Sequence, residues 1–268
     1  MIVKAFSKLL TYSNIIRWGN MIGLFKIAKN LEICDLALLI EDTIIIADLH
    51  LGYEQYLNRE GFMLPSFQFK KIIDRIDKIR ESSGAENIII NGDLKHEFGK
   101  VSYQEHRELK KLLDYLEGNF KKIILIKGNH DPIIPYLSHL KNFKIVDSLE
   151  FQGHLITHGH HIPEKIKTQT IIIGHEHPCI GLRSGERIEK IKCYIKGPFQ
   201  GKKLVVMPSF NFVTEGSDIL HEAVISPFLK ESKLSKFRVY AVEDFKVFDF
   251  GTVEDITRIM GEQLVRGL

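Results

Sequence analysis

Short runs of consecutive apolar residues recur along the first two thirds of the chain, and each ends in polar side chains. With those polar residues included, the runs occupy positions 43–50, 87–93, 123–130, 155–158 and 170–175. Isoleucine-rich runs without polar alternation are typical of strands that are covered on both faces. The pattern therefore predicts an α/β fold with a largely parallel sheet flanked by helices.

Amphipathic segments between these runs predict helices. Apolar residues at three- and four-residue spacing occur in 66–80 and again in 102–116. Ser66 follows Pro65 at the start of the first of these segments, so we expect it to be the N-cap residue. Asp131 and Pro132 predict a short helix that extends to residue 140.

The last third of the chain has a different pattern, with short alternating segments separated by turn residues. We expect strands at 187–195, 203–207, 237–242 and 245–250. No repeat, low-complexity tract or linker rich in Pro, Gly or Ser divides the sequence. The sequence therefore predicts a single domain over residues 31–268.

Residues 1–30 contain no acidic side chain, and their cationic residues are Lys4, Lys8, Arg17, Lys26 and Lys29. We expect a basic N-terminal extension that is either dispensable or in contact with anionic lipid or nucleic acid. No small-residue cleavage site follows a clean apolar core, which argues against a secretory signal.

The composition of the 268 residues is typical of a globular protein, with 44% hydrophobic and 26% charged residues. It excludes disordered and collagen-like chains. The net charge of +3 neither implies nor excludes a nucleic-acid partner. Three cysteines are an odd number in a long chain, which favours a reducing, cytoplasmic location. Charged residues interrupt every apolar stretch before it reaches the roughly 18 residues of a membrane span.

Histidines are concentrated in one region, because eight of the twelve lie between positions 130 and 177. Several of them belong to a set of polar residues at the ends of predicted strands. The set comprises Asp48, His50, Asp93, Asn129, His130, His158, His175 and His177. In open α/β sheets, ligands bind beyond the carboxyl ends of the strands. We therefore expect these side chains to form one pocket.

The residue types in this set are those of a metal site. Asp48 and His50, like His175 and His177, are two residues apart, so both side chains of an extended pair can bind one cation. Carboxylate, imidazole and amide ligands suit divalent ions such as Mn²⁺, Fe or Zn²⁺. The set lacks the cysteines that are expected of a structural zinc site. The candidate ligands in this set are too many for one tetrahedral ion but suit two ions that share a carboxylate. Such a pair can clamp the oxygens of a phosphoryl transfer.

The order of these blocks resembles the signature of the calcineurin-like metallophosphoesterases, which runs D-x-H, G-D, G-N-H-D/E, H and G-H-x-H. The similarity extends over residues 38–250, and it is greatest to the branch of DNA-ligase-associated, PdeM-like enzymes and their archaeal relatives. The segments that carry it are 47–54, Gly61 with Pro65, 92–96, 128–131, 158–160, 174–178 and 208–211. The resemblance implies a four-layer α/β/β/α sandwich with a dinuclear metal centre at the carboxyl ends of the strands.

The resemblance also implies a role for each residue of the set. Asp48, His50 and His177 correspond to the ligands of one metal, and Asn129, His158 and His175 to those of the other. Asp93 would bridge the two ions. The expected cofactors are two divalent ions, Mn²⁺ first, with Fe, Zn²⁺ or Ni²⁺ as the other candidates. His130 would donate a proton to the leaving oxygen, and a metal-activated water would be the nucleophile.

One position differs from the common family pattern. Many members continue the second block as G-D-x-x-D, whereas this chain has His96 in place of the second aspartate. The G-D-L-K-H form itself resembles the PdeM-like branch. We interpret His96 as a residue that either contacts the substrate phosphate or caps the following loop.

The resulting expectation is a cytoplasmic, metal-dependent phosphoric ester hydrolase that cleaves phosphodiesters of the nucleotide or nucleic-acid type. The preference for diesters, and an association with DNA ligase or helicase, follow from the resemblance alone. Three alternatives stay open: a phosphomonoesterase that uses the same site, a DNA-repair nuclease, and a metal-bearing interaction module without activity.

Overall fold

The computed structural model describes residues 17–18, 23–97, 103–131, 142–184 and 187–265. Its strands are, in chain order, β1 (Arg17–Trp18), β2 (Phe25–Ala28), β3 (Leu31–Cys34), β4 (Ala37–Ile40), β5 (Thr43–Ala47), β6 (Asn87–Asn91), β7 (Lys122–Ile126), β8 (Phe143–Val146), β9 (Ser148–Phe151), β10 (His154–Thr157), β11 (Thr170–Ile173), β12 (Pro178–Ser184), β13 (Arg187–Phe199), β14 (Lys202–Val206), β15 (Ser217–Asp218), β16 (Arg238–Glu243) and β17 (Lys246–Thr252). Its helices are α1 (Tyr53–Arg59), α2 (Gln68–Ser83), α3 (Tyr103–Asn119), α4 (Pro227–Lys230) and α5 (Val253–Val265), with a 3₁₀ turn at Leu234–Lys236.

Strands β2 to β8 form one sheet, in which each strand pairs with the next one in the chain. The pairing is antiparallel from β2 to β5 and parallel from β5 to β8. The isoleucine runs form its centre, where Ile44 pairs with Ile88 and Ile88 pairs with Ile123. Their apolar side chains are buried on both faces, as the absence of polar alternation predicts.

The second sheet has the strand order β1-β17-β16-β13-β14-β11-β10-β9, with β12 attached to β13 and β15 attached to β12. Strands β10, β11 and β14 are parallel to one another, whereas the other pairs along this order are antiparallel. The alternating segments predicted in the last third of the chain are found here as β13, β14, β16 and β17. Each sheet therefore has a parallel half, and both parallel halves carry site residues at their carboxyl ends.

The two sheets pack against each other, and helices cover their outer faces. The core on the side of the first sheet includes the apolar faces of α2 and α3, which contribute Ile72, Ile76, Ile79, Leu109, Leu112, Leu113 and Leu116. The core on the far side of the second sheet includes Phe228, Leu229, Val253 and Ile256 from α4 and α5. This order of helices, sheet, sheet and helices confirms the predicted α/β/β/α sandwich.

Helix α2 begins one residue later than an N-cap at Ser66 predicts, and Ser66 does not cap it. The N-cap residue is Phe67, without a capping side chain of its own. Instead, Oε1 of the buried Glu54 accepts hydrogen bonds of 2.8 Å from the backbone N–H groups of Phe67 and Gln68. A carboxylate from α1 thus satisfies the free N–H groups at the start of α2.

The N-terminal part of the chain contributes to both sheets. Arg17 and Trp18 pair with Asp249 and Phe248 of β17, and Phe25–Ala28 forms the edge strand of the first sheet. The helix predicted over 132–140 lies outside the described residues. In the part of the chain that the structure describes, no helix combines the length and the hydropathy needed to cross a bilayer.

Candidate active site

The residues predicted at strand ends come together at one edge of the sandwich. Asp48 and His50 follow β5, Asp93 follows β6, Asn129 and His130 follow β7, His158 follows β10, and His175 and His177 follow β11. Within the first sheet, the backbone N–H of Asp48 donates to the Gly92 carbonyl. Oδ2 of Asp48 accepts the backbone N–H of His175, which follows a strand of the second sheet, at 3.0 Å. The parallel halves of the two sheets therefore end side by side. Side chains more than 100 positions apart therefore meet at one site.

One cluster consists of Asp48, His50 and His177, whose potential ligand atoms all lie within 4.8 Å of one another. The Nε2 atoms of His50 and His177 are 3.3 Å apart, and Oδ1 of Asp48 lies 3.5 Å from Nε2 of His177. That Oδ1 atom is buried and accepts no hydrogen bond from the described residues. An unsatisfied carboxylate oxygen that faces two imidazole nitrogens is a donor set that fits a divalent cation.

A second cluster consists of Asp93, His158 and His175, again with ligand atoms within 4.8 Å of one another. Nε2 of His158 lies 3.3 Å from Oδ2 of Asp93 and 3.0 Å from Oδ1 of Asn129. Two imidazoles, one carboxylate and one amide oxygen thus converge next to the first cluster. This donor set also fits a divalent cation.

The carboxylate of Asp93 lies between the two clusters. Its Oδ2 is 3.3 Å from Nε2 of His158 and 3.8 Å from Nε2 of His50. Its Oδ1 accepts the backbone N–H of His130 at 2.9 Å. The side chain is therefore oriented by the backbone and presents one oxygen to both sides.

The backbone of five site residues lies in the left-handed region, which residues other than glycine rarely adopt. The φ angles are 56° for Asp48, 48° for His50, 46° for Asp93, 65° for His175 and 50° for His177. Asp48 and His50 are thus not in the extended conformation that the sequence suggested. Such strain is typical of functional sites and persists where surrounding contacts impose it, here bonds such as His50 N–H to the Asp93 carbonyl at 2.9 Å.

The pKa of His158 is shifted in the opposite direction from those of two neighbouring imidazoles, His50 and His175. Burial alone would lower the pKa of His158, but its hydrogen bond to Asp93 and the charge of Asp48 outweigh burial and raise the pKa to about 9. Burial would likewise raise the pKa of Asp93, yet His158 and then His50 lower it. Burial, together with the charge of His158, lowers the pKa of His175 to about 4. Burial and then the charge of His177 also lower the pKa of His50, so His50 and His175 are available as neutral ligands near pH 7.

His130 and His96 lie beside the first cluster. Nδ1 of His130 contacts the backbone carbonyl oxygen of His96, and Nε2 of His130 lies 3.9 Å from Oδ2 of Asp93. The His96 ring is 5.3 Å from the His50 ring and 5.7 Å from the His130 ring, measured between centroids. A backbone carbonyl thus contacts His130, and the His96 imidazole lies toward the clusters.

Glu176 is a residue of this site that the sequence reasoning missed. It lies between His175 and His177, is 1% exposed, and accepts the backbone N–H groups of Ile225 and Ser226, the latter at 2.7 Å. The Ser226 hydroxyl donates to the carbonyl of Gly159, next to His158, at 3.0 Å. Glu176 therefore links the loops that carry three histidines of the site. Its only signal in the sequence is an acidic residue at the variable position of G-H-x-H.

Lys192 is a second residue that the sequence did not reveal. Its buried Nζ donates to Oγ of Ser209 at 2.8 Å and to the carbonyl of Thr214 at 2.9 Å. Burial lowers its pKa to about 8. Phe210, which follows Ser209 in the loop at 208–214, donates its backbone N–H to the carbonyl of Ala47, the residue before Asp48. Lys192 thus fastens the loop at 208–214 against the end of β5.

The calcineurin-like phosphoesterase family model matches residues 42–177, which contain all of the clustered side chains. The solved nuclease MPE of Pseudomonas putida is similar in fold, with a TM-score of 0.55 and 21% identity over 79% of this chain and 91% of that one. The phosphoesterase Yfce of E. coli aligns over 75% of this chain and 88% of its own, with 14% identity and a TM-score of 0.36. No curated protein sequence matches the chain significantly. Since the family model covers half of the chain and all five sequence blocks, the protein belongs to the calcineurin-like phosphoesterases, a family that implies metal-dependent hydrolysis of phosphoesters.

Proposed function

We propose that the protein is a two-metal-dependent phosphodiesterase that acts on substrates of the nucleotide or nucleic-acid type. Asp48, His50 and His177 would hold one ion, and Asn129, His158 and His175 the other, with Asp93 shared between them. The observation that carries this proposal is the position of Asp93, whose Oδ2 lies within 4 Å of imidazole nitrogens from both clusters. A shared carboxylate is what a pair of ions requires and a single ion does not.

The donor set also bears on the metal. Oxygen and imidazole ligands favour Mn²⁺, with Fe, Zn²⁺ and Ni²⁺ as the other candidates. The three cysteines are buried and take no part in the clusters, and burial raises the pKa of Cys34 and Cys179 to about 12. When bound, such ions supply Lewis acidity toward the phosphoryl group and toward water.

His130 is the proposed proton donor to the leaving oxygen. Its Nδ1 contacts the His96 carbonyl, and a carbonyl can only accept a hydrogen bond, so Nδ1 carries hydrogen. In the cationic ring the second proton is then at Nε2, the atom on the side of Asp93. The His96 imidazole would bind a phosphate oxygen of the substrate from the side of His50 and His130.

The charges near His96 favour a diester over a monoester. A monoester carries nearly two negative charges at pH 7, whereas a diester carries one. Two cationic side chains near this side of the site already have partners. The Arg59 guanidinium pairs with the Glu97 carboxylate, and Nζ of the buried Lys95 donates to the Glu97 carbonyl. Neither of these two side chains is therefore placed to bind the second charge of a monoester.

The proposal is tested by comparing hydrolysis of bis(p-nitrophenyl) phosphate and p-nitrophenyl phosphate after loading with Mn²⁺. We expect faster turnover of the diester and two ions per chain by elemental analysis. The variant His130→Ala should keep both ions and lose turnover, most strongly on a diester with a poor leaving group. Preference for the monoester would identify the alternative enzyme, and equal background rates for wild type and His130→Ala would identify a non-catalytic module.

A nuclease is the second candidate, because the fold is similar to that of the P. putida nuclease MPE. Cleavage of single-stranded or duplex DNA, with an affinity that falls as salt rises, would support it. Association with DNA ligase or helicase and a cytoplasmic location stay part of this proposal.

A further inference from the structure

Helix α1 places two tyrosines at the edge of the candidate active site. Tyr53 and Tyr56 are one helical turn apart, and their ring centroids are 6.3 Å apart with planes at 30°. Tyr53 stacks on His96 at 4.1 Å, and the Tyr56 ring lies 4.9 Å from His96. These three rings form one cluster, which we call the aromatic rim (Tyr53, Tyr56 and His96).

The aromatic rim adjoins the proposed chemistry directly. The His96 ring is 5.3 Å from the ring of His50 and 5.7 Å from that of His130. Tyr53 is half-buried against His96, whereas Tyr56 is 38% exposed. The outermost ring of the rim is therefore accessible to a ligand whose phosphate lies at the metal clusters.

Helix α1 is held rigidly in this position. The backbone N–H of Tyr53 donates to the His50 carbonyl at 3.2 Å, and Nε2 of Gln68 donates to the Leu49 carbonyl at 2.8 Å. In the last turn of α1, Asn58 makes two hydrogen bonds of 2.7 Å and 3.0 Å with the backbone of Leu64, which follows the helix. A ring that is held in place before binding loses little entropy when a ligand stacks on it.

We propose that the aromatic rim is a base-stacking subsite, in which Tyr56 stacks on a nucleobase next to the cleaved phosphodiester and Tyr53 supports His96. This inference rests on the proposed phosphodiesterase function. Among biological ligands, one that joins a phosphodiester to a flat π-system within a few ångströms is a nucleotide, and stacking on tyrosine tolerates any base. The subsite thus selects for the presence of a base and not for its identity.

The test compares two single-stranded oligomers of equal length and charge, one with bases and one made of abasic tetrahydrofuran residues. Wild type loaded with Mn²⁺ should hydrolyse the oligomer with bases at a kcat/KM higher by about ten-fold or more. Tyr56→Leu keeps an apolar side chain without a π-face, so it should remove most of this preference through a higher KM. Tyr56→Phe should retain the preference. Phe151→Leu, at the opposite ends of the strands, is the matched control and should also retain it.

A direct readout of stacking is the fluorescence of a 2-aminopurine dinucleotide. We expect wild type and Tyr56→Phe to quench it on binding and Tyr56→Leu not to. The subsite is wrong if wild type cleaves both oligomers equally well, or if Tyr56→Leu keeps the preference and the quenching. If wild type cleaves neither of the two oligomers and no aryl diester, the phosphodiesterase function is wrong, and the subsite with it.

Discussion

Gly92 and His158 are in such close contact that a Cβ atom on Gly92 would lie 2.1 Å from Nδ1 of the imidazole. His158 is fully buried between Asp48 and Asp93, so its ring cannot move aside without leaving its carboxylate partners. The absence of a side chain at position 92 is therefore a requirement of the site. The same relationship recurs at Gly128, where a Cβ would lie 2.0 Å from Oδ1 of Asp93.

We expect Gly92→Ala to abolish metal binding and activity by displacing His158. The matched control is Gly84→Ala, because Gly84 also has a positive φ (67°, against 82° for Gly92) but has no atom within 4 Å of the added Cβ. Gly84→Ala should cost about 1 kcal/mol of stability and leave metal binding intact. Elemental analysis and thermal unfolding of both variants would check this, and normal metal content in Gly92→Ala would contradict it.

Metal binding should release a proton from His158. The pKa of this imidazole is raised to about 9 in the metal-free protein, so the ring is cationic below that pH and must lose its proton to become a ligand. Metal affinity should therefore increase as the pH rises toward 9 and level off above it. Calorimetric titration with Mn²⁺ in two buffers of different ionisation enthalpy, at pH 7, measures the proton release. Both pH 6.5 and pH 8.5 lie below the pKa of about 9, so the affinity should differ between them. An equal affinity at the two pH values would show that metal binding does not displace a proton from His158.

The strand ends and their polar residues could be predicted from the sequence because the parallel strands are short, isoleucine-rich and covered on both faces. Once Ile44–Ile46 and Ile88–Ile90 are recognised as neighbours, Asp48 and Asp93 must emerge at the same edge. The left-handed backbone of those residues could not be predicted, because it depends on bonds such as that between Asp48 and Gly92. The cap on α2 was missed for a similar reason, since the carboxylate of Glu54 reaches Gln68 from another helix.

The antiparallel strands β2 to β4 were also not predicted. The region 25–40 is apolar but short between turns, with Asn30 and Asp35 at positive φ, and it contains no periodic pattern long enough to indicate a hairpin. Glu176 and Lys192 escaped for a different reason. Lys192 bonds to the backbone of Thr214, 22 positions away, and Glu176 bonds to the backbone of Ser226, 50 positions away. No local sequence pattern identifies such distant backbone partners.

We expect Glu176→Gln to weaken metal binding without unfolding the protein. Both carboxylate oxygens of Glu176 accept the N–H of Ile225, and one also accepts that of Ser226, so an amide NH₂ group in their place would face a donor. The cost of one unsatisfied buried donor is about 1–3 kcal/mol. It should appear as a lower thermal midpoint and a lower Mn²⁺ affinity. Glu222→Gln, which alters an exposed pair with Lys190, is the control and should change neither quantity measurably.

Asp93→Asn should remove activity through the loss of both ions, in contrast to His130→Ala, which should lose turnover alone. The amide keeps the size of the side chain and can still accept the His130 N–H, but it cannot present a charged oxygen to His50 and His158 together. The loss of metal affinity should exceed the roughly 10–100-fold loss that is typical of replacing a residue that only orients a metal ligand. Metal content and kcat of the two variants, measured at saturating Mn²⁺, separate the two effects. If Asp93→Asn retains two ions per chain, Asp93 is not the shared ligand. If His130→Ala loses the ions, His130 takes part in metal binding and the proposed division of the site between ligands and proton donor must be abandoned.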